Sequence, residues 1–510
     1  MTFPSVIFPA INTLAGNESL FIPDFFVDLN LDQVIDAITE RKQEYNLKPF
    51  FFTPLHDVEV INYRQDVFRD LENPNVLKAI KTFAEKMAVV RRYLNMIEKL
   101  YFEYHKEGWF LEAAIVYCYA IQGLSRDLQG TPIKSKGLAD FLAYIESYIS
   151  SPVFETLQSD SFECKTALSA IQYSVIIKGN WVRVRKYESE IDYSKEVELT
   201  FEKFKQGDVK NYRIDLLKTS GMNHVEAQIL DCVVKLFPEA FKVLDSFFVN
   251  HHDFIPDVIL TFDRQIQFYV SYLDFIENFK AKGLKFCYPV VTKEKNLHVH
   301  EAFDLALANK RLFDPSAVVT NDFFLSGNER ILVVSGPNQG GKTTFARMFG
   351  QLHYLSSLGC PVPGSEATLF HFDQIYTHFE KEEDIRNLRG KLQDDLVRIH
   401  SILESATPDS IIIMNEIFTS TTLKDAIFLS KEVIQRIIQL DALGVCVTFI
   451  DELSKMGEQT VSMVSTVVPE NPMQRTFKII RMPADGLSYA ICIAEKHQLT
   501  YSLIKERIAQ

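Results

Sequence analysis

A glycine-rich segment that follows a short apolar run has the residue types needed to hold a phosphate group. Residues 336–344 read Gly-Pro-Asn-Gln-Gly-Gly-Lys-Thr-Thr, which contains the P-loop spacing Gly-x4-Gly-Lys-Thr. Glycines allow a tight turn whose backbone N–H groups point at phosphate oxygens, and the following helix N-terminus adds the positive end of its dipole. In this pattern the lysine reaches the β- and γ-phosphates and the next hydroxyl ligates Mg²⁺. We therefore predict an ATP and Mg²⁺ site that consists of Gly336, Pro337, Asn338, Gln339, Gly340, Gly341, Lys342, Thr343 and Thr344.

The segments around this loop indicate the elements that position it. Residues 331–335 are apolar and β-branched, as in a buried strand, and residues 344–358 are compatible with a helix. A second apolar strand over 410–416 ends in Asn415 and Glu416, and a third covers 443–450. Strands that alternate with helices predict a parallel sheet covered on both faces. We expect Asn415 to lie with Thr343 at the metal, and Glu416 and Lys342 to be catalytic.

Composition bounds the remaining possibilities. A chain of 510 residues is too long for one core and predicts several domains. The net charge of −13 excludes nucleic-acid binding by the whole surface and leaves only a local basic patch for that purpose. Seven scattered cysteines, no basic leader and no long apolar run lead us to expect a cytoplasmic protein with reduced thiols and no membrane contact.

The first half of the chain is helical by its apolar spacing. The pattern predicts a helix over 54–71, one long helix over 79–105, and further helices over 109–124 and 141–157. Helical spacing returns over 224–282.

Between these stretches, residues 173–185 alternate apolar and polar side chains around a Gly-Asn turn, which predicts a β-hairpin. The hairpin carries a basic cluster that could contact DNA phosphates without reading bases. Charged residues also blunt exposed sheet edges, and this alternative stays open. The DNA-contact candidates are Lys178, Arg183, Arg185 and Lys186.

Several motifs resemble the MutS family. The loop at 336–344 is similar to that family's Gly-Pro-Asn-x-Gly-Gly-Lys-Ser/Thr-Thr, and residues 358–364 and 373–377 resemble its Gly-x-x-Val-Pro and Asp-x-Ile-Phe-Thr segments. Residues 61–68 resemble the Ile-x-x-Arg-x-x-x-Val motif of its lever domain. The Asn321-Asp322 pair and the Gly486-Leu-Ser-Tyr-Ala490 segment also match, so the likeness covers about residues 50 to 510.

This resemblance implies a multidomain protein: an α-helical lever or core domain with a small β-rich, clamp-like insertion, followed by an α/β P-loop ATPase domain of the ABC type. It also implies a homodimer that closes around DNA with ATP. The expected divisions are an N-terminal segment at 1–50, the lever domain at 51–172 and 219–300, the clamp-like insertion at 173–218, the ATPase domain at 301–485 and a dimerising helical tail at 486–510.

Four departures from the family pattern bear on function. The short N-terminal part leaves no room for mismatch-recognition and connector domains, so we do not expect a mismatch reader. Asn415 stands where the family has Asp, and Asp451 where we place its switch His. The loop that completes the partner's site lacks the usual Ser, and its candidate residues are Arg389, Gly390 and Lys391. The three changes in the catalytic apparatus suggest slow hydrolysis, or binding without turnover, unless they are tolerated variation. A nucleotide-responsive scaffold without DNA binding and an inert relic remain alternatives.

Overall fold

The computed structural model describes residues 5–9, 21–179, 181–189, 196, 222–314, 318–380, 390–468, 471–484, 499–501 and 504–505. The chain forms two compact units. One unit contains the described residues between 73 and 132 and between 139 and 263. The other contains those between 5 and 72, between 133 and 138, and from 264 onward. No helix within the described ranges is long and apolar enough to cross a membrane.

Helices and strands follow one another in a mixed order. The helices are α1 (Phe25–Asp28), α2 (Leu31–Thr39), α3 (Lys48–Phe52), α4 (Val58–Leu71), α5 (Pro74–Ile97), α6 (Glu103–Leu128), α7 (Lys136–Ile149), α8 (Pro152–Ser169), α9 (His224–Leu236), α10 (Pro238–Asn250), α11 (Asp257–Lys280), α12 (Leu305–Lys310), α13 (Lys342–Ser357), α14 (Lys391–Ser405) and α15 (Leu423–Leu440). The strands are β1 (Tyr173–Lys178), β2 (Trp181–Lys186), β3 (Phe286–Cys287), β4 (Val290–Thr292), β5 (Leu297–Ala302), β6 (Asn321–Leu325), β7 (Ile331–Ser335), β8 (Val362–Pro363), β9 (Glu366–Phe370), β10 (Ile375–Phe379), β11 (Ile411–Asn415), β12 (Leu443–Val447), β13 (Thr460–Val468) and β14 (Asn471–Arg481).

The helical first half is more interrupted than its apolar spacing predicts. The single helix expected over 79–105 is wrong, because α5 ends at Ile97 and α6 begins at Glu103. These two helices pack along each other as a helical hairpin. The helix expected over 141–157 is also divided. Pro152 begins α8, and the Ser151 hydroxyl accepts the N–H of Phe154 as an N-cap.

A six-stranded sheet forms the framework of the second unit. Its strand order is β10-β11-β12-β7-β13-β14, and all neighbours are parallel except the edge pair β13 and β14. Helix α13 packs on one face, where Gly350 leaves room for Ile413 of β11. Helices α14 and α15 cover the opposite face in a core that includes Ile412 and Met414. The predicted parallel sheet with helices on both faces is therefore confirmed, with one antiparallel strand added at its edge.

A buried arginine joins two segments that lie far apart in the sequence. Arg64 of α4 is 1% exposed and donates to the carbonyl oxygens of Ile7 and Leu358, each at 3.2 Å. Burial lowers the pKa of its guanidinium to about 10. Gly359, with φ of +77°, lies so close to Arg64 that a Cβ would come within 2.7 Å of the arginine Cβ. The segments at 61–68 and 358–364, which both suggested the family resemblance, thus meet in one packing contact.

A second, four-stranded sheet in the same unit has the order β4-β9-β5-β6. Strands β5 and β9 pair antiparallel in its centre, and β4 and β6 form its edges. The last strand, β6, is followed closely by β7, so this sheet leads directly to the glycine-rich loop.

Candidate functional site

The glycine-rich loop joins the carboxyl end of β7 to the first turn of α13. Gly336 and Gly341 have φ values of +114° and +92°, which are in the range that favours glycine. Strand β13 passes beneath the loop: a Cβ at Gly336 would lie 2.8 Å from the carbonyl oxygen of Ser465. The Ser465 hydroxyl donates to the carbonyl oxygen of Gly340 at 2.7 Å. The glycines are therefore required both by backbone conformation and by the close approach of β13.

Lys342, the first residue of α13, turns back into the loop. Its side chain is buried, and Nζ donates to the carbonyl oxygens of Gly336 at 2.9 Å and Pro337 at 3.1 Å. The ring of Phe449 lies 4.3 Å from the same Nζ. Burial lowers the pKa of Lys342, while the carboxylate of Glu416 acts in the opposite direction. The ammonium group is thus held at the loop by neutral acceptors and an aromatic face.

The two predicted metal ligands are in direct contact. The hydroxyl of Thr343 donates to Oδ1 of Asn415 at 2.9 Å. Asn415 is the last residue of β11, which is two strands away from β7, and the carboxyl ends of parallel strands lie at the same edge of the sheet. The structure thus brings the Thr343 and Asn415 side chains together, and their role at a metal stays a prediction. The hydroxyl oxygen of Thr343 and the amide oxygen of Asn415 are ligands of the kind that Mg²⁺ binds.

Glu416 follows directly after β11 in an unusual conformation. Its φ is +55°, and its backbone N–H donates to the carbonyl oxygen of Val447 at the end of β12 at 2.9 Å. The side chain is half-buried, and burial raises the pKa of its carboxyl; Lys342 opposes this shift and Glu380 adds to it. A carboxylate with a raised pKa is a better proton acceptor than an exposed one, which suits a general base.

Lys342, Thr343 and Glu416 line one cavity of about 590 Å³, a size typical of small-molecule sites. Asn415 and Phe449 contact two of these lining residues, Thr343 and Lys342 respectively.

Phe477 stands at the wall of this cavity with φ of +58° and is 47% exposed. The amide of Asn321 holds this irregular part of β14, since its Nδ2 donates to the Phe477 carbonyl at 3.2 Å and its Oδ1 accepts the N–H of Ile479 at 2.7 Å. Arg475 lines the same cavity and its Nε donates to the Asn338 carbonyl at 3.2 Å.

Phe449, Arg475 and Phe477 were missed by the sequence reasoning. Asp451, the residue assigned to the switch position, begins a 3₁₀ helix (Asp451–Lys455) and does not line the cavity. Phe449 is the side chain after β12 that reaches Lys342. The sequence contained one signal that could have led to Phe477: the Asn321-Asp322 motif, which marks the strand that supports it.

Two of the three residues predicted to complete a partner's site, Gly390 and Lys391, lie at the start of α14. Gly390 is exposed and precedes the helix, and Lys391 forms an ion pair with Glu380 of its own chain. Arg389 lies outside the described residues. Glu380 in turn contributes to the raised pKa of Glu416, so Lys391 is connected through one carboxylate to the candidate base.

The predicted hairpin is confirmed as the antiparallel pair β1 and β2, with Lys178 opposite Trp181. This register divides the basic candidates between two faces. Lys178, Arg183 and Arg185 share one face with the exposed Trp181, whereas Lys186 lies on the other face over the ring of Phe237 at 5.2 Å. The remainder of the predicted insertion, from 190 to 218, lies outside the described residues except for position 196.

Comparison with known proteins points to one family. The family model described as MutS domain V matches residues 332–509. The chain is 29% identical over 243 residues to the DNA mismatch repair protein MutS of Listeria welshimeri, an alignment that covers 46% of this chain and 28% of that protein. It is 25% identical over 302 residues to the protein of the same name from Bacillus cytotoxicus, covering 57% of this chain and 33% of the relative. The aligned parts thus span about a third of the relatives' length.

Two serines of β13 allow a matched test of the loop support. In Ser465→Ala, the buried carbonyl of Gly340 loses its donor, so we expect the second unit to lose about 1–3 kcal/mol of stability. In Ser462→Ala, the substitution removes a buried hydroxyl that has no hydrogen-bond partner among the described residues, so stability should stay constant or rise. Urea unfolding measures both. Equal effects of the two substitutions would contradict the assigned role of Ser465.

Proposed function

Since the family model described as MutS domain V matches residues 332–509, we propose that the chain is a MutS-related ATP-binding protein that hydrolyses ATP slowly and acts as a dimer on DNA. The observation that carries the proposal is that Lys342, Thr343 and Glu416 line the cavity beside the glycine-rich loop, with Asn415 hydrogen-bonded to Thr343. We propose further that the second unit contains a P-loop ATPase fold of the ABC type.

The residues present fit a nucleotide with Mg²⁺. The loop from Gly336 to Thr344 would bind phosphate oxygens through its backbone N–H groups, helped by the dipole of α13. Lys342 would exchange its contacts with the Gly336 and Pro337 carbonyls for phosphate oxygens. Phe477 presents a half-exposed ring at the cavity wall, which suits stacking on the adenine.

Thr343 and Asn415 would hold Mg²⁺, which when bound supplies positive charge that offsets the charge of the phosphates. Glu416 would orient a water molecule and accept its proton, as its raised pKa favours. Both metal ligands are neutral, and a hard cation prefers anionic oxygen, which supports slow turnover.

DNA as a partner has weaker support. Both relatives bear the name DNA mismatch repair protein MutS. Within this chain, the support is the hairpin face that presents Lys178, Arg183 and Arg185 together with the exposed ring of Trp181. Cations beside an aromatic ring are typical of surfaces that bind nucleic-acid backbones. The alternative function, a nucleotide-responsive scaffold without DNA binding, is supported by the net charge of −13.

ATP turnover by the purified chain tests the proposed activity. We expect slow, Mg²⁺-dependent turnover that changes when linear or branched duplex DNA is added. Glu416→Gln should reduce turnover by about 100-fold or more, since the proton acceptor is lost. Because burial raises the pKa of Glu416, the base is protonated and turnover lost as pH falls through a value above the ordinary 4.5.

Glu404→Gln, an exposed change on α14, is the matched control and should leave turnover unaltered. Equal turnover in wild type and Glu416→Gln would refute the assigned base. Tight ATP binding with turnover that responds to no DNA would favour the scaffold.

Asn415→Asp tests the neutral metal pair. The carboxylate keeps an acceptor for the Thr343 hydroxyl and adds a charge next to the cation, worth on the order of 1 kcal/mol or more. We therefore expect the Mg²⁺ concentration for half-maximal turnover to fall by about tenfold. ATP binding without Mg²⁺ serves as the control and should be unimproved. An unchanged Mg²⁺ requirement would remove Asn415 from the metal site.

The two faces of the hairpin give a sharp test of DNA contact. Replacing both Lys178 and Arg183 by Gln should weaken duplex binding and reduce the slope of log affinity against log salt by about 1.8, near 0.9 for each lost phosphate contact. Lys186→Gln changes a cation on the opposite face and should have little effect. Fluorescence anisotropy across a salt series measures both. The same slope in the double variant and wild type would exclude the hairpin as the DNA contact.

A further inference from the structure

Two histidines and a glutamate form a cluster on the exposed face of the four-stranded sheet. His298 and His300 alternate along β5, so their side chains emerge on the same face. Glu366 of β9 lies directly opposite His300 in the antiparallel register. The imidazole rings of the two histidines have centroids 4.4 Å apart, and one ligand atom from each of the three residues lies within 4.8 Å of the others. Three ligand atoms of the types that bind transition metals thus lie close enough together to share one ion.

The backbone around this cluster is firmly held. The carbonyl oxygen of His300 accepts the N–H of Ser365 at 3.0 Å, next to Glu366. Gly364, with φ of +144°, approaches so closely that a Cβ would lie 2.9 Å from the same carbonyl. A bulge at Glu301, with φ of +54°, follows immediately in β5. The spacing of the three side chains is therefore set by paired strands rather than by a loop, which favours a defined coordination geometry.

A carboxylate also stands behind one of the histidines. Oδ1 of Asp322 lies 3.4 Å from Nδ1 of His300 and accepts the N–H of Glu301 at 2.7 Å. When Nδ1 of His300 carries the proton beside this carboxylate, the lone pair of Nε2 is left for a metal, which is the arrangement that supports metal-binding histidines. Glu301 itself forms an ion pair with Lys285, so its carboxylate does not compete for an ion bound by His298, His300 and Glu366.

We propose that His298, His300 and Glu366 form a binding site for a divalent transition metal of the zinc class. Two imidazoles and one carboxylate match the preferences of Zn²⁺ and its neighbours, whereas Mg²⁺ and Ca²⁺ prefer oxygen ligands throughout. Three protein ligands leave the fourth position of a tetrahedral ion to water. The ion would cross-link β5 to β9, in the same sheet as β6, whose Asn321 supports the cavity wall at Phe477.

Zn²⁺ binding to the full chain, purified without a histidine tag and assayed without nucleotide, tests the proposal. We expect one Zn²⁺ ion bound at this site per chain, retained in a large excess of Mg²⁺, and a rise in Tm because the ion binds only the folded sheet. Co²⁺ should give the visible absorption of a site with nitrogen ligands. His298→Ala and His300→Ala should each abolish these signals, and Asp322→Asn should weaken the affinity by about tenfold or more.

His252→Ala is the matched control, because His252 is an exposed histidine beside Asp253 without a third ligand among the described residues. It should bind Zn²⁺ as wild type does. Circular dichroism of each variant checks that loss of binding does not come from unfolding. Equal Zn²⁺ affinity in wild type and both folded histidine variants, or displacement by Mg²⁺, would show adventitious surface binding only and overturn the proposal.

Discussion

The close approach of β13 to the glycine-rich loop is the contact on which the rest of the site depends. Ser465 lies beneath Gly336 and Gly340, and its hydroxyl holds the Gly340 carbonyl. A loop fixed at this point can turn its N–H groups toward the cavity and begin α13 at Lys342. Any side chain larger than hydrogen at Gly336 or Gly340 would have to displace β13, which is a member of the central sheet. The conformation of the glycine-rich loop thus depends on strand packing as much as on loop sequence.

The carboxyl end of β12 connects the two sides of the cavity. The Val447 carbonyl accepts the N–H of Glu416, and two residues later the ring of Phe449 covers Lys342. The candidate base and the loop lysine therefore both depend on the position of one strand end. Burial lowers the pKa of Lys342 and raises that of Glu416, and each group opposes the effect of burial on the other. A movement of this strand would therefore alter the charge balance at both groups.

The sequence was sufficient where local patterns and spacing carry the information. The strand at 331–335, the loop, the meeting of Thr343 with Asn415 and the hairpin register follow from apolar runs, glycine spacing and alternation. The sequence was insufficient where tertiary packing determines where a helix ends or where a side chain lies. Nothing in residues 98–102 marks the end of α5, and the position of Phe477 depends on Asn321 from another strand. Likewise, His298 and His300 gain their third neighbour only when β9 pairs with β5.

The hairpin register has an electrostatic consequence for a chain with a net charge of −13. A polyanion that approaches such a molecule is repelled by its net charge and attracted locally by Lys178, Arg183 and Arg185 on one hairpin face. The orientation of the polyanion would then be selected by repulsion from the net negative charge as well as by attraction at this hairpin face. Added salt screens both effects beyond about 10 Å at 0.1 M, so it would weaken the contact while widening the range of productive approach angles.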